Sequence, residues 1–169
     1  MLSATGCTII ENKIFHDTRG SFTELYKRTS TPFGIAQVNL SFSKAKVVRG
    51  MHFQRHPFAQ QKFIRVLFGR VIDTVIDLDP TSSTFGRMEE FELDGPESNT
   101  IVIPGTHAHC FYALEPTVFI YLCSNVYDKA SEGGINPMNP LFKWYGDRVE
   151  ISDKDKELPS LEQALAGLK

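Results

Sequence analysis

Phe63-Ile64-Arg65-Val66-Leu67-Phe68-Gly69-Arg70-Val71-Ile72-Asp73-Thr74-Val75-Ile76-Asp77-Leu78 is the stretch whose reading decides the fold. Two runs rich in valine, isoleucine and phenylalanine meet at Gly69-Arg70, which predicts two strands joined as a β-hairpin. Working outward, Ile35-Ala36-Gln37-Val38-Asn39-Leu40-Ser41 alternates apolar and polar residues with period two, as a half-buried strand does. Thr100-Ile101-Val102-Ile103, Cys110-Phe111-Tyr112-Ala113 and Val118-Phe119-Ile120-Tyr121-Leu122 read as further strands. The turn signals Asp79-Pro80-Thr81-Ser82-Ser83 and Asp94-Gly95-Pro96-Glu97-Ser98-Asn99 bracket another, Glu89-Glu90-Phe91-Glu92-Leu93. Helix signals are few: a short turn over Phe22 to Lys27, and Leu161-Glu162-Gln163-Ala164-Leu165-Ala166 after Pro159. Short strands separated by turn residues predict an all-β antiparallel sandwich or barrel. A jelly roll with a few short helices, mainly C-terminal, fits the strand count, and its mouth would hold the site. No repeat, low-complexity tract or long linker interrupts the chain, so residues 1–169 are expected to form a single domain.

Composition narrows the function classes. Hydrophobic residues make up 41% and charged residues 22%, ordinary values for a globular protein. No apolar run approaches the roughly 20 residues of a membrane helix, so no membrane partner is expected. Met1-Leu2-Ser3-Ala4-Thr5 lacks the basic and apolar segments of a secretory signal. Cys7, Cys110 and Cys123 are odd in number and show no CxxC spacing, which favours neither a disulfide framework nor a zinc knuckle. The expectation is a cytoplasmic protein. A net charge of −2 argues against a nucleic-acid partner, whose binders carry a basic stripe. An anionic small ligand stays open if Arg49, Arg55, Lys62 and Lys154 converge, although any one of these charges is more commonly a solvated surface group.

Three residues carry potential chemistry. In Val48-Arg49-Gly50-Met51-His52-Phe53-Gln54, strand alternation puts His52 and Gln54 on one face and Met51 and Phe53 on the other. Ile151-Ser152-Asp153-Lys154-Asp155 offers a carboxylate able to orient a histidine, and Tyr121 a phenol able to give up a proton. A histidine, an aspartate and a tyrosine are the parts needed for acid–base chemistry beside a carbonyl. Each has a plainer reading by itself: His52 as a hydrogen-bonded structural histidine, Tyr121 as packing among Phe119, Ile120 and Leu122.

Taken together with Phe15-His16-Asp17-Thr18-Arg19-Gly20 and Gln37-Val38-Asn39, these segments resemble the dTDP-4-dehydrorhamnose 3,5-epimerase family over roughly residues 15–165. The resemblance implies a cupin-like jelly roll and a cofactor-independent isomerase acting on a dTDP-4-keto-6-deoxyhexose at C3, C5 or both, in deoxysugar biosynthesis of the L-rhamnose type. It implies that His52, in the family's RGxHxQ segment, is the general base, and that Asp155, in the SxKD segment, hydrogen-bonds it. Tyr121 matches the acid that reprotonates the substrate from the opposite face, and Lys62 matches a lysine facing the sugar ketone, where an ammonium steadies a developing enolate. Tyr127 corresponds to an aromatic stacked on the thymine. Gln37, Asn39 and Arg49 match residues lining the nucleotide diphosphate, and His109, Glu132 and Lys154 match further ligand-contacting positions. Arg19 and Glu24 match positions that reach the nucleotide from the partner subunit, which implies a homodimer with exchanged N-terminal strands.

The chain departs from the family pattern in three places. The glycine of the AHGF segment is Cys110, the paired aromatics near Tyr127 are reduced to Val126-Tyr127, and a Trp-Asn-Asp-Pro-like stretch becomes Pro137-Met138-Asn139-Pro140. These changes bear on substrate identity and stereochemistry more than on reaction type. Two other readings stand beside the epimerase. One is a metal-dependent cupin using His107, His109 and His52, against which Gln54 and His56 replace the usual carboxylate pattern, so that no metal is expected. The other is a non-catalytic sugar-nucleotide-binding jelly roll, which the retention of Tyr121 and Asp155 disfavours.

Overall fold

The computed structural model describes residues 1–29, 33–97, 99–138 and 149–168. Asn139 and Pro140, part of the altered stretch noted above, lie outside them. The strands in chain order are β1 (Thr8–Ile10), β2 (Ile14–Asp17), β3 (Gly20–Thr23), β4 (Gln37–Ser43), β5 (Val48–Gln54), β6 (Lys62–Phe68), β7 (Arg70–Asp77), β8 (Met88–Asp94), β9 (Thr100–Ile103), β10 (His107–Ala113), β11 (Thr117–Cys123) and β12 (Glu132–Gly134). Two short helices follow, α1 (Asp153–Lys156) and α2 (Leu161–Ala166). The strands form two antiparallel five-stranded sheets, ordered β1-β9-β6-β11-β4 and β12-β5-β10-β7-β8, and β2 pairs with β3 as a separate hairpin. This is the jelly roll that the strand pattern predicts.

The hairpin expected at Gly69-Arg70 does not form. Strand β6 lies between β9 and β11 in the first sheet, whereas β7 lies between β10 and β8 in the second. The chain turns a corner from sheet to sheet, and Gly69 makes the corner feasible. Its φ is +79°, and a Cβ there would sit 2.2 Å from the carbonyl oxygen of Pro116. Crossing over sets the apolar positions of the two strands face to face. Ile64 and Val66 of β6 meet Val71 and Val75 of β7, with Ile101, Ile103, Phe111 and Phe119, in a core between the sheets. Phe111 and Phe119 stack there with ring centroids 4.5 Å apart.

The outer faces are covered as well. Met51, Phe53, Ile76, Ala108 and Cys110 pack with Ile135 and with Leu161 of α2 over the second sheet. Ser160 caps α2 through a capping box with Gln163. Phe63, Val102 and Leu122 are covered on the first sheet by Ile10, Tyr26, Phe33, Ile35 and Ile120. Burial on both faces explains why these strands read as nearly continuous apolar runs.

The helical turn expected over Phe22 to Lys27 is absent. Phe22 and Thr23 belong to β3, and the following residues run as irregular chain. The guanidinium of the buried Arg65 donates to the Glu24 carbonyl at 3.2 Å and to the Thr23 hydroxyl at 3.1 Å, and these tertiary bonds override a weak helical preference. Among the described residues, no helix is long and apolar enough to cross a membrane.

Candidate active site

Strands of both sheets line a pocket of about 750 Å³. The first sheet contributes Gln37, Asn39 and Ser41 from β4, Lys62 from β6, and Phe119 and Tyr121 from β11. The second contributes Arg49, His52 and Gln54 from β5, and His109 and Phe111 from β10. Tyr127, Glu132, Ser152, Lys154 and Asp155 are among the other residues that line it. The alternation read from the sequence explains His52: Met51 and Phe53 pack under α2, so the histidine between them projects into the pocket.

Nε2 of His52 lies 2.7 Å from Oδ1 of Asp155, a residue 4% exposed. With Nε2–H donating to the carboxylate, Nδ1 of the ring keeps the lone pair that a general base requires. Asp155 sits on α1, whose N-cap Ser152 accepts from the Asp155 amide. The Gly50 amide donates to the second carboxylate oxygen at 3.4 Å. Burial acts to raise the Asp155 pKa, but His52, Gly50 and Ser152 together outweigh it and hold the carboxyl below its usual 3.8. Gly50 itself allows the close packing behind the dyad: at φ +119°, a Cβ on it would lie 2.5 Å from Cβ of Cys110.

Tyr121 faces this dyad from the opposite sheet. Burial, with a smaller contribution from Cys123 and against Arg49, pushes its phenol above the usual value of 10.0, so it is a protonated donor at neutral pH. Nζ of Lys62 donates to the His52 carbonyl at 3.3 Å, and burial lowers its pKa against the pull of Cys123 and Asp73. On the same wall as His52, Nδ1 of His109 lies 3.2 Å from Oδ2 of Asp73. Such a cavity has a histidine held by a carboxylate on one side and a protonated tyrosine on the other. A buried lysine and polar strand residues line the same space. It can take a proton from one face of a carbon acid and return one to the other face.

The family model for dTDP-4-dehydrorhamnose 3,5-epimerase matches residues 2–163. The chain belongs to the dTDP-4-dehydrorhamnose 3,5-epimerase family. A dTDP-4-dehydrorhamnose 3,5-epimerase of Streptomyces griseus is 36% identical over 96% of this chain and 86% of its own length. The crystal structure of the Mycobacterium tuberculosis rmlC epimerase superposes with a TM-score of 0.92 at 34% identity, covering 99% of this chain and 90% of that one. ChmJ, a 3'-monoepimerase of Streptomyces bikiniensis seen in complex with dTDP-quinovose, superposes with a TM-score of 0.87 at 30% identity, covering 96% of this chain and 88% of that one.

Of the positions matched to the epimerase family by sequence, His52, Lys62, Tyr121, Asp155, Gln37, Asn39, Arg49, His109, Tyr127, Glu132 and Lys154 all line the one pocket. Arg49 donates to the Ser43 hydroxyl and the Phe42 carbonyl, and Gln37 accepts from the Tyr127 amide while donating to Asn39. Arg19 and Glu24 do not line it. Arg19 lies in the β2–β3 turn paired with Asp17 at 2.6 Å, and Glu24 borders a separate cavity of about 300 Å³. Arg55, considered as a converging cation, sits instead 5.5 Å above the Phe53 ring and donates to the Glu132 carbonyl.

The three histidines of the metal-cupin reading do not converge. Nε2 of His107 lies 2.8 Å from the Thr5 carbonyl and the residue is outside the pocket lining, because it stands at the start of β10 beside the N-terminal segment. Among the described residues no group of three or more His, Cys, Asp or Glu side chains is placed to hold a metal ion.

Sequence reading missed Asp73, which supports His109, and the stacked Phe111–Phe119 floor. A signal for Asp73 was present: in β7 it shares period-two phase with Val71 and Val75, which places a carboxylate on the buried face of an apolar strand.

Proposed function

We propose that this chain epimerises a dTDP-4-keto-6-deoxyhexose at C3 and C5, in biosynthesis of a deoxysugar of the L-rhamnose type, with residues 1–169 acting as one jelly-roll domain. The observation that carries the reading is the placement of the His52–Asp155 pair and Tyr121 on opposite sheets across one pocket. The C4 ketone acidifies the hydrogens at C3 and C5. Nδ1 of His52 removes one of them, and the imidazolium that results is stabilised by Asp155. Lys62 and His109 face the enolate oxygen as charge develops on it. Tyr121 delivers a proton to the other face, inverting the carbon, and rotation of the sugar presents the second carbon to the same groups. No redox or metal cofactor enters this scheme.

Tyr127 offers its ring to the thymine, and Arg49, Gln37 and Asn39 line the path of the diphosphate. The enzyme works as a homodimer with exchanged N-terminal strands, Arg19 and Glu24 each serving the partner's nucleotide. Two features support this. Among the described residues the β2–β3 hairpin pairs only with itself, and the edge strand β4 presents Val38, Leu40 and Phe42 at 57%, 52% and 70% exposure. Its setting is the cytoplasm, where the free and buried Cys7, Cys110 and Cys123 stay reduced.

The test is incubation with the keto-sugar nucleotide in deuterium oxide, followed by NMR of the recovered sugar. Deuterium at both C3 and C5, above the rate in buffer, is the expected result. Label at one carbon alone would make it a mono-epimerase, with Val126 the first suspect because it replaces an aromatic next to the pocket-lining Tyr127. No enzyme-dependent label would overturn the reading.

A further inference from the structure

Lys154 is gripped on both carboxylate oxygens of Glu132, at 2.7 and 2.8 Å, and the Tyr127 hydroxyl donates to the same carboxylate at 3.0 Å. Lys154 immediately precedes Asp155 on α1, a helix of only four residues. Glu132 belongs to β12, which pairs with β5 so that Glu132 stands opposite Gln54 and Gly134 opposite His52. The carboxylate that holds Lys154 is therefore fixed to the strand that carries the base. A four-residue helix has too few internal hydrogen bonds to hold its own position, so the groups that tether it decide where Asp155 points. On the side away from the pocket, Asn136 Nδ2 donates to the Lys156 carbonyl at 2.6 Å. In the pocket lining, Glu132 adds a side-chain tether to the bonds that Asp155 itself makes with His52 and Gly50.

We propose that Glu132 is a positioning residue: by gripping Lys154 it holds α1 against β12 and keeps the Asp155 carboxylate on His52. This assigns Glu132 and Lys154 a task toward the reaction beyond contact with the nucleotide, and it rests on the epimerase reading for its kinetic consequence. Tyr127 joins the same carboxylate, so the residue that stacks on the base and the helix that orients the general base share one anchor. An exposed ion pair by itself holds weakly, and the Lys154 side chain is 60% exposed. The doubly bonded geometry and the added phenol make this one stronger than an isolated pair, and losing it costs roughly three- to tenfold in turnover.

The experiment compares E132Q, K154M and K154R with the parent protein in two ways. The first needs no substrate. The proton shared by His52 and Asp155 gives a downfield imidazole resonance, identified by its loss in H52N. It is expected to broaden or vanish in E132Q and K154M and to persist in K154R, which keeps a cation on Glu132. The second is kinetic: kcat falls roughly three- to tenfold in E132Q and K154M, in addition to any change in dTDP affinity. The double variant is no slower than either single one. K154R recovers most of the loss. An unchanged resonance in both E132Q and K154M overturns the proposal, as does a loss of dTDP affinity with kcat retained, which would leave the two residues as nucleotide contacts. If the parent protein shows no epimerisation, the epimerase reading fails and the resonance alone still decides the tether.

Discussion

Nδ1 of His109 and Oδ2 of Asp73 lie 3.2 Å apart, both buried, in the sheet that carries His52. Burial pushes Asp73 well above the usual carboxylate range, against the pull of Lys62, and pushes His109 well below the usual histidine range, with Lys62 and His52 adding to the effect. Both shifts run against the charged forms, so burial disfavours an ion pair at this contact. Burial pulls the Lys62 amine in the same sense, away from its charged form.

The pair makes stability depend on pH with a definite sign. An acid whose folded pKa is raised is fully accommodated below its unfolded value of 3.8, and stability is lost as pH climbs from there toward the folded value. Asp73→Asn keeps a donor toward His109 and removes that loss. Thermal unfolding of Asp73→Asn is expected to show a gain of about 1–2 kcal/mol at pH 7, shrinking as the pH falls toward 4. A gain that does not vary with pH would show that Asp73 is ionised in the fold.

His52→Asn removes the proposed base and is expected to lower deuterium exchange into the keto sugar by roughly 10²–10⁴-fold while leaving the unfolding temperature nearly unchanged. Asp155→Asn leaves the helix cap intact but loses the carboxylate that holds the imidazole, so it costs more in rate than in stability. Its folded pKa is depressed, so the stability it adds is present above pH 3.8 and is lost as pH falls through the folded value. Near-normal turnover by folded His52→Asn would place the base elsewhere.

Phe42→Asp places a charge at the most exposed end of the apolar stripe of β4. If the proposed dimer forms, sedimentation gives twice the chain mass of 19.0 kDa for the parent protein and a single chain for the variant, with weaker dTDP binding in the variant, from which the proposed contribution of Arg19 and Glu24 to the partner's pocket is withdrawn. A parent protein that sediments as a single chain with full dTDP affinity would contradict the dimer.

Gly50→Ala would press a methyl group against Cβ of Cys110 and the His109 carbonyl, at a φ that side chains rarely adopt. Denaturant unfolding is expected to show a loss of about 2–4 kcal/mol. Activity falls further than the folded fraction, because β5 moves away from β10 and carries His52 with it.

Period-two alternation revealed most strands and correctly aimed His52 and Gln54 into one space. It could not distinguish a hairpin from a sheet-to-sheet corner at Gly69-Arg70, since a glycine between two apolar runs serves either and only the facing strands decide. The short helix expected after Phe22 failed for a similar reason: the bonds from Arg65 that keep the chain extended come from a strand some 40 positions on. Tyr121 looked like packing locally, and its exposure to the pocket becomes visible only when β11 is set beside β4 and β6. The grip of Glu132 on Lys154 spans 22 positions and joins two segments with no shared pattern, so nothing in either segment announced it.

The bond between His52 and Asp155 spans 103 positions of chain. Strand β5 can pair with β10 and β12 before α1 arrives, but the imidazole has no fixed tautomer until the last helical segments dock. Chains dominated by such distant pairings fold in milliseconds to seconds, slower than helical proteins of similar size. During synthesis β5 is therefore in place before the segment that orients its histidine, and a partly folded chain lacks the His52–Asp155 pair on which the proposed enolisation depends.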